Sequence, residues 1–167
     1  INSPSASGNK SHYEKWALET NGVGRAIVCP LWNGNGTVKV MVVGNDNKPV
    51  DEEIINNCKL HIEENMPVGC QLTVTTPTSL NVSIVASVEL KEGYEISEIK
   101  EEFETELNEY LKTVTTELVY SKVYGILVNL LGIGDITSLT INDNTSNITI
   151  AEDKIINISA VELSEVI

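Results

Sequence analysis

The chain has no apolar run able to cross a membrane as a helix, which takes about 20 residues. Its longest candidate, 119–133, is broken by Ser121, Lys122, Tyr124, Gly125, Asn129 and Gly132. Residues 1–11 are polar and hold no apolar signal-peptide core. The chain opens on Ile-Asn-Ser without Met and reads as a piece of a longer protein. Basic residues are scarce: 11 Lys and Arg face 24 Asp and Glu, a formal charge of −13. That argues against nucleic acid and anionic membranes as partners, because both are bound by Lys and Arg neutralising phosphates. The 3 cysteines are odd in number and form no CxxC pair, which argues against a disulfide framework and fits a reducing compartment. His12 and His61 are the only histidines, and no Ser or Cys has the signature of an activated nucleophile.

What is present is alternation and helical periodicity. Residues 1–10 are Asn-, Ser- and Gly-rich and read as a disordered stretch or linker. Ser11 to Thr20 predicts a short helix with Ser11 as N-cap, Glu14 completing a capping box, and Tyr13, Trp16 and Ala17 on one face. Asn21-Gly22 ends it. Strands follow at Arg25–Leu31, with Pro30 marking an edge or strand end, and at Thr37–Val43, joined by the glycine-bearing loop Trp32–Gly36. A turn at 44–49 leads to a helix over Asp51–Glu64, with acids in its first turn and Ile54, Ile55, Cys58 and Ile62 as its buried stripe. Leu72–Thr76 closes a first module, 11–78, ordered α-β-β-α-β.

Pro77-Thr78-Ser79 marks the boundary. The second module, 79–167, opens with the alternating strand Leu80–Leu90. An acidic helix capped by Ser97 follows, with Ile99, Phe103, Leu107, Tyr110, Leu111 and Val114 on one face. A second helix over Leu118–Leu131 points Val119, Val123, Ile126, Leu127, Leu130 and Leu131 inward and stops at Gly132–Asp135, read as a C-cap and turn. Three strands (136–141, 147–150, 154–160) end the chain, with a polar hairpin tip at 142–146, giving β-α-α-β-β-β. The fold class predicted is α+β: two small modules, each with helices packed on a mainly antiparallel sheet.

Candidate chemistry is thin. Cys58-x-x-His61 sets two ligand types one helical turn apart, and Cys70 and Cys29 would complete four zinc ligands. Against this, Cys58 falls on the apolar stripe, where a free thiol packs as a small hydrophobe. Between Glu89 and Glu109 the chain carries nine Glu and two Lys. This acidic face is either a solvated helix surface or a docking face for a basic protein, and Glu101, Glu102 and Glu109 are its candidate contacts. Acid-base pairs need a pocket that drives two pKa values apart, which an exposed helix face does not supply. Gly22-x-Gly24, Gly34-x-Gly36 and Gly132-x-Gly134 are turn glycines rather than phosphate cradles. The Asn/Asp-rich turns lack the Glu of a calcium loop. The Asn-x-Ser/Thr sites at Asn35, Asn81, Asn144, Asn147 and Asn157 follow from Asn-rich composition. Trp16 packs the first helix. Trp32, beside a hairpin tip, either caps the sheet or belongs to a subunit interface.

Tyr13, Trp16-Ala17, Gly22-Val23-Gly24-Arg25-Ala26, Pro30-Leu31-Trp32-Asn33-Gly34 and Gly36-Thr37-Val38, followed by Pro49, Pro67-Val68-Gly69, the strand end from Val74 to Pro77, and Gly132-Ile133-Gly134-Asp135, resemble the phage baseplate protein J family in its central and C-terminal portions. The resemblance covers the chain beyond residue 10. It implies a structural subunit of a phage or prophage contractile-tail baseplate, a wedge component without enzymatic activity, cofactor or metal. Its expected partners are other wedge and hub proteins, as a homo-oligomer in the particle, with no nucleic acid or membrane. The expected location is the virion tail baseplate, assembled in the bacterial cytoplasm. Cys70 departs from the family pattern, which has a small residue there. The alternative reading is a small metal-dependent or ligand-binding module using Cys58, His61 and Cys70.

Overall fold

The computed structural model describes residues 9–167. The expectation for 1–10 therefore falls mostly outside the described residues, while Lys10 already begins the first helix. Four helices and eight strands are present among the described residues, in an α+β arrangement, and the chain divides into two compact units at Thr78/Ser79.

The first unit contains α1 (Lys10–Leu18), β1 (Val23–Pro30), β2 (Thr37–Gly44), α2 (Glu52–Asn65) and β3 (Gln71–Thr75). Its sheet has the order β1-β2-β3, with α1 against β1 and α2 against β3. The core joins Tyr13, Trp16 and Ala17 of α1 to Val38, Val40 and Val42 of β2 and to Cys58 and Ile62 of α2. The α1 cap is Asn9, not Ser11: the Asn9 side-chain oxygen accepts from the His12 amide (3.0 Å) and the Ser11 hydroxyl (2.8 Å), so the helix starts earlier than expected. Asn and Ser cap about equally well, and sequence alone does not separate them. Asp51 caps α2 by accepting from the Ile54 amide at 3.0 Å. β1 and β2 form an antiparallel hairpin, whereas β2 and β3 are parallel because α2 carries the chain back across the sheet.

The second unit contains β4 (Thr78–Leu90), α3 (Ile96–Leu111), β5 (Glu117–Leu118), α4 (Tyr120–Val128), β6 (Ile133–Ile141), β7 (Ile148–Thr149) and β8 (Lys154–Glu165). The main sheet is ordered β6-β4-β8, and β5 pairs with β7. β4 and β6 are antiparallel. Bonds from Asn157 to Asn81, Ser159 to Val82 and Val166 to Val88 advance together along both strands, so β8 runs parallel to β4. α3 lies against β8 and α4 against β6. Phe103, Ile99, Leu107 and Leu127 fill the space beneath them together with Val82, Ile84, Ala86 and Val88.

Several details differ from expectation. Glu95, not Ser97, occupies the α3 cap position, and it makes no side-chain capping bond. Ile96 packs on the core, which draws the first turn back past Ser97. The second helix is shorter than predicted, because Glu117-Leu118 pair as a strand with Ile148-Thr149. Leu131 is exposed rather than inward. Gly132–Asp135 is not a turn: β6 begins at Ile133, and a Cβ on Gly132 would lie 2.6 Å from Ile99 Cδ1 and Tyr94 Cδ1. That glycine is there for close packing. Residues 142–146 do not join paired strands, since β6 pairs with β4 and β7 with β5. Instead the Asn142 side chain accepts from the Ser83 amide at 2.8 Å and ties the end of β6 to β4.

Candidate functional site

The β1–β2 loop is built by its own hydrogen bonds. Leu31 N–H donates to Thr37 O (2.8 Å), Asn33 N–H donates to Thr37 Oγ1 (3.1 Å), and Thr37 Oγ1–H donates to Gly34 O (2.6 Å). Gly34 and Gly36 take φ of +99° and +77°, where a Cβ would be strained. Leu31 adopts φ 59° without being glycine, a conformation that costs a branched side chain about 1 kcal/mol or more. The strained residue is not hidden: Leu31 is 62% exposed and Trp32 46%. Lys39 Nζ stands 4.9 Å from the Trp32 ring centroid, a cation–π contact. The α2–β3 loop adjoins, since Gln71 N–H donates to Gly36 O at 2.7 Å, and it carries the fully exposed Val68. This end of the unit is thus uncharged along 29–38 and 66–72 and tipped with Leu31, Trp32 and Val68. Leu31 and Val68 had no sequence signal of their own, because exposure of a loop residue leaves no periodic trace.

On the second unit, Glu101, Glu102 and Glu109 are exposed, as expected for the polar face of α3. Glu98, Glu101, Glu102, Thr105 and Glu106 line an open, shallow depression of about 540 Å³. Glu109 pairs with Lys112 at 2.7 Å, and both side chains are exposed, which makes the pair weak. A second shallow hollow beside Tyr110 and Lys122 is open as well.

The metal alternative is overturned by the placement of its donors. Cys58 is fully buried, and burial pushes its thiol pKa up while the Thr20 hydroxyl pulls against that shift. His61 turns to the flank of α2, where its Nε2 lies 2.8 Å from Glu19 Oε1 of α1. Cys70 neighbours Tyr13, whose phenol is pushed up to about 12 by burial and by its bond to Cys70. Cys29 sits on β1 opposite Lys39. Among the described residues no three His, Cys, Asp or Glu side chains converge as metal ligands. Arg25 is half-buried and its pKa is lowered by that burial.

Two α+β units presenting exposed loops and a charged helix face define a module that works through its surface. Comparison with known proteins gives the same class. The Baseplate J-like central domain matches residues 5–76, and the Baseplate J-like protein C-terminal domain matches residues 82–164. The chain belongs to the baseplate J-like family. It is 30% identical over 169 aligned residues to the phage-like element PBSX protein XkdT of Bacillus subtilis (strain 168), with 95% of this chain and 49% of that protein aligned. It is 29% identical, with the same coverage, to the uncharacterized protein YqbT of the same strain. The chain therefore spans about half the length of these relatives. Its fold is similar to a chain in the cryo-EM structure of the anti-feeding prophage (AFP) baseplate, with a TM-score of 0.68, 8% identity, and coverage of 92% of this chain and 37% of that one.

Proposed function

We propose that this chain is the central and C-terminal part of a structural subunit of a phage or prophage contractile-tail baseplate, acting by protein–protein assembly around the tail hub. The observation that carries this reading is the succession of two domains of one baseplate family along nearly the whole chain. The AFP likeness supports the fold. The subunit catalyses no reaction of its own: the carboxylates of α3 that sequence singled out stand on an open face instead of flanking a closed pocket. Its partners are neighbouring wedge and hub proteins and further copies of itself, and it is built into the particle in the bacterial cytoplasm. Trp32 is one assembly contact, and Glu101, Glu102 and Glu109 form another, facing a basic partner. The modules for these contacts are 11–78 and 79–167.

The test is recovery from purified particles. The full-length protein should co-purify with baseplates in fixed stoichiometry to the other tail proteins. Trp32→Ala should reduce its incorporation at least tenfold with a change of no more than about 1 kcal/mol in stability, because the indole is half exposed. Particles complete in every other tail protein and free of this one would refute the proposal.

A further inference from the structure

We propose that β3 is a strand-addition edge, where an extended segment of a neighbouring protein joins the first sheet. This rests on the baseplate reading and specifies one kind of contact within it. The three-stranded sheets have four edge strands: β1 and β3 in the first, β6 and β8 in the second. Bare edges invite pairing, and proteins blunt them with charge, proline or bulges. β1 carries Arg25, Pro30 and a register shift between Val23 and Arg25. β6 carries Asp135 and two register shifts against β4. β8 carries Lys154, Glu162 and Glu165. β3 reads Gln-Leu-Thr-Val-Thr and keeps an unshifted register with β2 from Thr37↔Gln71 to Met41↔Thr75. It has none of these devices. It also lies within residues 65–88, which hold no charged side chain in a chain of net charge −13.

The backbone defines what would bind. Gln71 N–H donates to Gly36 O, on the β2 side. In a parallel pair, alternate residues turn both backbone groups toward the partner strand. Gln71, Thr73 and Thr75 therefore face β2, and Leu72 and Val74 turn N–H and C=O outward while their side chains stay in the core. An added strand meets two donors and two acceptors, repeating every second residue, about 6.6 Å apart. Ile55, half-buried on the flank of α2 away from His61, continues the apolar row of Leu72 and Val74. The occupant thus carries apolar or β-branched residues at every second position. A second copy would bring its own −13, and that repulsion opposes self-pairing. The occupant is a different protein, neutral or basic.

Residue-resolved amide exchange on the full-length protein, free and in purified particles, tests this. In the free protein the Leu72 and Val74 amides should exchange fast, and those of Thr73 and Thr75 slowly. In the particle Leu72 and Val74 should slow by about tenfold or more. Thr73→Glu, which sets a charge on the edge opposite Lys39, should keep the wild-type melting temperature and be lost from particles. If the protein is present in particles and Leu72 and Val74 exchange at the free rate, strand addition is overturned and the baseplate reading stands. If the protein is absent from particles, the baseplate reading fails and this proposal with it. Protection that appears in the isolated protein as its concentration rises assigns the edge to a second copy and overturns the hetero-partner.

Discussion

Tyr13 couples packing to pH. Its ring is 4% exposed, stacks edge-on against Trp16 at 5.3 Å, and holds a phenol pushed up to about 12 by burial and by Cys70. Below the ordinary tyrosine value near 10 the phenol is protonated in both folded and unfolded chains, and its contribution to stability is complete. Between about 10 and 12 the unfolded chain releases a proton that the folded chain keeps, so stability falls as pH rises, by up to about 1.4 kcal/mol per pH unit. Urea midpoints measured from pH 9 to 12 should show this decline in the wild type and a shallower one in Tyr13→Phe. Parallel profiles would remove Tyr13 from the account. Leu31 is the opposite kind of residue, strained and exposed. Leu31→Gly relieves its positive φ and removes a side chain that packs little, so it should leave stability unchanged or raise it by up to about 1 kcal/mol. Thermal melting reads that directly, and a loss of 2 kcal/mol or more would mean that the loop is packed more tightly than its exposure implies.

Glycines separate local from tertiary causes at the scale of the elements. Gly125 lies inside α4 with open space where a Cβ would go, so Gly125→Ala should stabilise by about 0.5–1 kcal/mol through helix propensity alone. Gly132, with Ile99 and Tyr94 inside 3 Å of that position, should lose about 1–3 kcal/mol as alanine. Denaturant unfolding of the two variants should shift in opposite directions. The same contrast explains what sequence made legible. The stripes of α2 and α3 and the alternation of β4 were readable because burial imposes a period on them. Gly132 was read as a stop because its reason lies in Ile99 and Tyr94, distant along the chain. The parallel partners of β2 and β4 were not readable either, since pairing direction follows from crossovers and leaves no mark within a strand. For the surface, Trp32 and the acidic face of α3 could be named from sequence. Leu31, Val68 and the bare β3 edge required the fold, which decides whether an apolar or uncharged residue is covered.

At the scale of the whole molecule, the two cores are separate sets of side chains, and the charge is uneven: most of the acid lies beyond residue 79. Phe103 is fully buried in the second core, and Phe103→Ala should cost about 3–5 kcal/mol. If 11–78 and 79–167 are independent modules, amide exchange will rise throughout the second and stay at wild-type rates in β1 and β2. Uniform acceleration would mean that the chain unfolds as one unit. The central claim, that this chain serves as a structural part of a contractile-tail baseplate, is tested most directly by deleting its gene from the source bacterium and imaging the induced particles by electron microscopy. The account predicts that particles with complete baseplates disappear and return when the intact gene is restored. Intact contractile particles with normal baseplates from the deletion strain would contradict it.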